Sequence, residues 1–171
     1  MATVHWTFVV ERRATGWLNA TFHARWREAL LHACCRYELL CPIYVLMPDH
    51  THLLLMGLNE QGSDQRTAIA FLRGHTKHAL EPQTWQHQAH DHVLRPAERQ
   101  RNAFAKACHY VAKNPVRQSL CDLATDWPYL GNVIPGYPDL PLRDNDHWDR
   151  FWRIRTKHLA AHDAPPTRSR S

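Results

Sequence analysis

The chain has 171 residues, 44% of them hydrophobic, with seven tryptophans, which is enough for one packed core and excludes a disordered chain. No apolar run reaches the length of a membrane span and the N-terminus has no signal-peptide pattern, so no membrane partner is expected and the expected compartment is the cytoplasm. A net charge of +5 is compatible with a nucleic-acid partner without requiring one, and five cysteines lacking any Cys-x-x-Cys make neither a disulfide framework nor a zinc knuckle.

In chain order, residues 4–10 predict a first strand, with Val4, Trp6, Phe8 and Val10 in step on one side. After a connection containing Gly16, residues 21–40 carry Phe22, Trp26, Ala29, Ala33, Tyr37 and Leu40 on one helical stripe, and Cys41-Pro42 is expected to end that helix. Residues 43–47 predict a second strand, Pro48-Asp49 a tight turn, and residues 51–58 a third strand, whose uninterrupted apolar character places it centrally. A second helix over 64–80 starts at Ser63 or Asp64 and stops before Pro82. A short strand follows around 91–94, and Pro96 is expected to open a third helix over 97–114. This order predicts an α+β fold: a ferredoxin-like split βαβ antiparallel sheet with added helices. Residues 1–162 read as a single domain. Within it, the Pro- and aromatic-rich residues 121–146 are expected to wrap over the sheet and 147–161 to form a last helix; 163–171 read as a disordered tail.

Two stretches carry chemistry. His50-Thr51-His52 opens the third strand, and alternation puts both imidazoles on one face. Two converging imidazoles suit a metal site; alternatively, one histidine caps the turn and the other is a satisfied core residue. On the third helix Tyr110 and Asn114 lie one turn apart at the border between helix and sheet, with Asn114 expected at the helix end because Pro115 follows it. A helix packed on the histidine face brings that phenol and amide over the imidazoles. Two imidazoles and an amide oxygen make a mixed site with open positions, suited to Mg²⁺ or, more comfortably, Mn²⁺. Such an ion neutralises charge on a phosphodiester, and a phenol beside it is then a usable nucleophile that keeps the bond energy in a phosphotyrosine. Candidate DNA contacts are Arg73 and Lys77 on the second helix, Arg95 and Arg117 flanking the third, and Arg153 and Arg155 on the last, each also readable as a solvated face or a cap. Trp148, Phe151 and Trp152 read first as core, with base stacking as the alternative, and His87, His90 and His92 as surface or outer histidines.

The motif Met47-Pro48-Asp49-His50-Thr51-His52 resembles the HUH motif of single-tyrosine transposases, with Thr51 where a bulky apolar residue is usual. Tyr110-x-x-x-Asn114-Pro115-Val116-Arg117 is similar to the nucleophile helix of one subgroup, the REP-associated tyrosine transposases, and Asp91-His92-Val93-Leu94-Arg95 looks like the segment before it. The resemblance covers about residues 4–120. It implies a divalent ion held by His50, His52 and Asn114, and Tyr110 as nucleophile. It further implies cleavage of single-stranded DNA beside an imperfect hairpin, leaving a 5′-phosphotyrosine and a free 3′-OH. The expected partner is single-stranded or hairpin DNA, bound by a monomer or homodimer. Two alternatives stay open: a non-catalytic palindromic DNA-binding regulator derived from a transposase, and a phosphodiesterase using metal-activated water.

Overall fold

In the computed structural model, β1 (Thr3–Val9), β2 (Leu39–Leu46), β3 (His50–Gly57), β4 (His90–Val93) and β5 (Leu130–Val133) form one antiparallel sheet in the order β4-β1-β3-β2-β5. The structure describes residues 2–59, 63–94 and 101–163; Arg95, the expected helix start at Pro96 and the chain beyond residue 163 lie outside them. The first four strands have the ferredoxin-like order that the succession of elements predicts.

Helices cover both faces. α1 (Ala20–Arg36) and α2 (Gln65–Leu80) pack on one, where Trp6, Phe8, Leu53 and Leu55 meet Trp26, Leu30 and Leu72. α3 (Arg101–Arg117) and α4 (His147–Asp163) pack on the other, where Leu54 and Met56 meet Phe104, Cys108, Val111, Phe151 and Ile154. This double cover explains why β2 and β3 are buried along their whole length. By parity His50 and His52 lie on the α3/α4 face with Leu54, while Thr51 lies on the α1/α2 face with Leu53. Among the described residues no helix is long and apolar enough to cross a membrane.

The expectations for α1, Pro42 and β5 need correction. α1 ends at Arg36, not at residue 40: the Tyr37 N–H closes the last turn on the Ala33 carbonyl, and Glu38 takes φ 50°, turning the chain into β2 early. Pro42 therefore lies inside β2. It is tolerated there because the register shifts beside it, between Leu40 and Ile43 toward β3 and between Cys41 and Tyr44 toward β5. The third correction is β5, a paired edge strand where only a wrap was expected.

Gly131 shows why β5 fits where it does. Tyr44 is fully buried, and its hydroxyl lies 2.7 Å from Arg27 Nη1 and 2.8 Å from His23 Nε2. A Cβ on Gly131 would sit 2.7 Å from that hydroxyl oxygen and 2.9 Å from Cζ. The ring cannot retreat without breaking both bonds. Gly131→Ala is therefore expected to destabilise the protein by about 1–3 kcal/mol, read as a lower urea midpoint at unchanged slope.

Thr51 gives the opposite expectation. It is fully buried, and among the described residues its hydroxyl has no hydrogen-bond partner. Replacing an unsatisfied hydroxyl by a methyl removes a desolvation cost, so Thr51→Val should raise stability by about 1 kcal/mol or more, measured in the same titration.

Candidate metal and nucleophile site

The turn between β2 and β3 is closed by the Met47 N–H on the His50 carbonyl at 2.8 Å and tied to β1 by the Val10 N–H on the Asp49 carbonyl at 3.0 Å. It sets His50 opposite Val9 and His52 opposite Thr7, all on the α3 face. His50 and His52 are each 6% exposed, with ring centroids 4.8 Å apart.

Their Nδ1 atoms are already engaged. His50 Nδ1 lies 2.6 Å from Asp49 Oδ1, whose other oxygen accepts from Arg13 Nη1 at 2.7 Å. Burial raises the Asp49 carboxyl, but the hydrogen bonds from His50 and Arg13 outweigh it and hold the group below the usual carboxylate range. With Nδ1 of His50 on Asp49, Nε2 is the ring nitrogen that remains for a ligand. His52 Nδ1 lies 2.9 Å from Thr7 Oγ1 and 3.2 Å from His5 Nε2. Burial, then the neighbouring His50 and His5, push His52 down to about 3, so it is neutral at physiological pH. His5 is pushed to about 4 by burial and then by His92, and is neutral too. With Nδ1–H of His52 donating to Thr7 or His5, its Nε2 is also open as a ligand. Outer partners that set tautomers in this way are what a histidine metal site requires.

α3 brings the remaining groups across the sheet. Asn114 is 6% exposed, and its Nδ2 donates to the Tyr110 carbonyl at 2.8 Å, leaving Oδ1 as the amide atom available to a cation. It is not at the helix end, as Pro115 suggested. Pro115 lies inside the helix, which runs on to Arg117. Ser119 stops it instead, taking φ 55° while its N–H bonds the Val116 carbonyl at 3.0 Å and the Leu120 N–H bonds the Pro115 carbonyl at 2.9 Å. Tyr110 is 41% exposed; its ring lies 5.8 Å from that of His5 and 5.7 Å from that of His52, with Arg117 Cζ 5.2 Å over it. His50, His52, Tyr110, Asn114 and Arg117 line one open cavity of about 370 Å³, together with Thr7 and Arg13.

The other basic candidates lie elsewhere. Arg73 is on the α1/α2 side, where Nη1 donates to the His87 carbonyl at 3.1 Å, Nη2 to the Gln86 carbonyl, and the guanidinium covers the Phe8 ring. Lys77 shares its helix. Arg153 and Arg155 are on α4, and Arg155 Nε reaches Met56 Sδ, at the other end of β3 from His50. Thr7, His5, Asp49 and Arg13 are the site residues that sequence reasoning missed. Only Asp49, inside the turn motif, left a local signal.

Among the described residues no three His, Cys, Asp or Glu side chains form a metal-binding group. Two imidazoles and one amide oxygen do line one cavity, a donor set that could hold a hard or borderline divalent ion with positions left open.

No family model matches the chain. A Haemophilus influenzae protein named as a REP-associated tyrosine transposase is 25% identical over 163 residues, covering 80% of this chain and 89% of that protein. A solved structure described as a REP-associated tyrosine transposase bound to a REP hairpin matches with a TM-score of 0.63 at 21% identity, covering 75% of each chain. In sequence and in fold, this chain is similar to the REP-associated tyrosine transposases.

Proposed function

We propose that this chain cuts and rejoins single-stranded DNA beside a hairpin, with Tyr110 as nucleophile and a divalent cation, Mg²⁺ or Mn²⁺, held by His50, His52 and Asn114. The observation that carries this reading is the shared cavity: an accessible phenol beside two imidazoles whose outer bonds leave both Nε2 atoms open, with an amide oxygen from the phenol's own helix. Hairpin DNA as substrate is supported by the REP hairpin in the similar solved structure and by the net charge of +5.

When bound, the cation would supply Lewis-acid neutralisation of the phosphodiester. The chain's residues do the rest. Tyr110 Oη attacks phosphorus; the P–O3′ bond breaks, and the phenolic proton ends on the leaving 3′ oxygen. The product is a 5′-phosphotyrosine and a free 3′-OH. One phosphodiester replaces another, so the step reverses when a second 3′-OH arrives. Arg117, whose guanidinium lies over the phenol ring, supports this reading by offering a positive charge to a phosphate at Tyr110. Thr7 and Asp49 hold the imidazoles in the ligand tautomer.

The test is incubation with pooled hairpin oligonucleotides and Mn²⁺, followed by a denaturing gel. A protein–DNA species that survives denaturation and vanishes with EDTA is expected. Salt-sensitive hairpin binding with no such species at any Mn²⁺ concentration would establish the non-catalytic palindrome binder instead. The outer layer gives a finer expectation. Thr7→Val removes a hydroxyl partner of His52 without removing a ligand, so Mn²⁺ affinity by calorimetry should fall about 10–100-fold with the fold retained.

A further inference from the structure

Where β1 ends, the chain makes a strained turn. Arg12 and Arg13 follow each other with φ 56° and 52°, the left-handed region that residues other than glycine rarely adopt. The turn is pinned from several sides. The Val10 N–H bonds the Asp49 carbonyl at 3.0 Å, the Glu11 N–H bonds the Thr84 carbonyl at 2.7 Å, and the Arg13 N–H bonds the Val10 carbonyl at 2.8 Å. It delivers one side-chain contact, Arg13 Nη1 on Asp49 Oδ2 at 2.7 Å. Arg13 lines the same cavity as His50, His52 and Asn114.

Stability does not account for that contact. The Arg13 side chain is 65% exposed, and so exposed an ion pair contributes little. Two successive left-handed residues cost more than such a pair contributes. Asp49 has the opposite environment. Its side chain is only 18% exposed, and its other oxygen lies 2.6 Å from His50 Nδ1. A carboxylate held by one oxygen turns easily about its last bond, whereas one held by both oxygens is fixed.

We propose that Arg13 is a positioning residue: by fixing Asp49 it holds the His50 ring with Nε2 left for a ligand, and so acts on cation binding without touching the cation. The strain of the turn is what aiming a guanidinium from the end of β1 at the β2–β3 turn requires. Thr7 does the same for His52 through a direct bond at 2.9 Å. Both imidazoles are then oriented from β1, one from within the strand and one from its end. This inference rests on the metal reading above.

The experiment separates the two. Mn²⁺ affinity is measured without DNA, from the electron paramagnetic resonance signal of the free ion, and folding from the urea midpoint. Arg13→Gln should weaken Mn²⁺ binding about tenfold or more with the midpoint nearly unchanged. Arg13→Lys should recover part of that loss, because an ammonium holds a carboxylate oxygen but lacks the rigid plane of a guanidinium. A double-mutant cycle reads the route: in an Asp49→Asn chain, Arg13→Gln should cost nothing further. Arg12→Gly relaxes the neighbouring left-handed residue and removes a side chain that does not line the cavity. It should raise the midpoint and leave Mn²⁺ affinity unchanged. Equal Mn²⁺ affinity in the native and Arg13→Gln chains, an Arg13→Gln loss as large in Asp49→Asn as in the native chain, or an equal loss in Arg12→Gly would overturn the role of Arg13 alone. A native chain that binds no Mn²⁺ would overturn the metal reading, and this role with it.

Discussion

Tyr110→Phe is expected to abolish the covalent protein–DNA species, a loss of about a thousandfold or more that takes it below detection on a denaturing gel, while hairpin affinity changes little. The substitution removes one oxygen and nothing else. Tyr110 is 41% exposed and its ring contacts with His5, His52 and Arg117 involve the ring, not the hydroxyl. Phe preserves those contacts, so the fold and the cavity survive and a lost adduct reports on chemistry. Cleavage that persists in Tyr110→Phe but disappears in His50→Ala would mean that water, not the phenol, attacks phosphorus.

The second large effect belongs to His52. His52→Ala removes one of the two imidazoles proposed to hold the cation and strips Thr7 and His5 of their shared partner. Mn²⁺ affinity should fall by about a hundredfold or more, since changing an outer partner alone typically costs 10–100-fold. Adduct formation should fall with it. Hairpin binding in EDTA should not, because the charge attraction of a basic chain for DNA does not pass through the imidazoles. The paired measurement matters: calorimetric Mn²⁺ binding that is equal in the native and His52→Ala chains would refute the metal site whatever the cleavage assay shows. His50→Ala should lose Mn²⁺ as severely, for a different reason. It leaves the Asp49 carboxylate bonded only to Arg13, free to swing toward the cavity.

The geometry of the site rests on two periodicities that are local, and these were legible in the chain itself. A spacing of two on a strand puts His50 and His52 on one face; a spacing of four on a helix stacks Tyr110 over Asn114. Neither depends on what packs against the element. The order of elements likewise led to the ferredoxin-like sheet, because βαββαβ with short turns has few compact solutions.

Tertiary structure decided what depends on distant pairing. Leu39 and Leu40 satisfy a helical stripe and a strand equally well, and β2 claims them because pairing with β3 puts Leu39 in the core under α1 and α2 and Leu40 in the core under α3 and α4. Leu130-Gly131-Asn132-Val133 is a poor strand by propensity; it pairs because Gly131 alone leaves room for the Tyr44 hydroxyl. Pro115 looked like a helix stop, yet the stop lies at Ser119, where a left-handed residue satisfies the last carbonyls. Arg73 and Arg117 are alike in composition, and only the sheet face separates a guanidinium bonded to carbonyls from one lying over the Tyr110 ring. The partners of His52 Nδ1, Thr7 and His5, lie more than forty residues from it in the chain, and only the β1–β3 register brings them there. Periodicity is a property of a segment and travels with it. Register, termination and partner choice are free-energy comparisons among whole arrangements, so they exist only once the chain has packed.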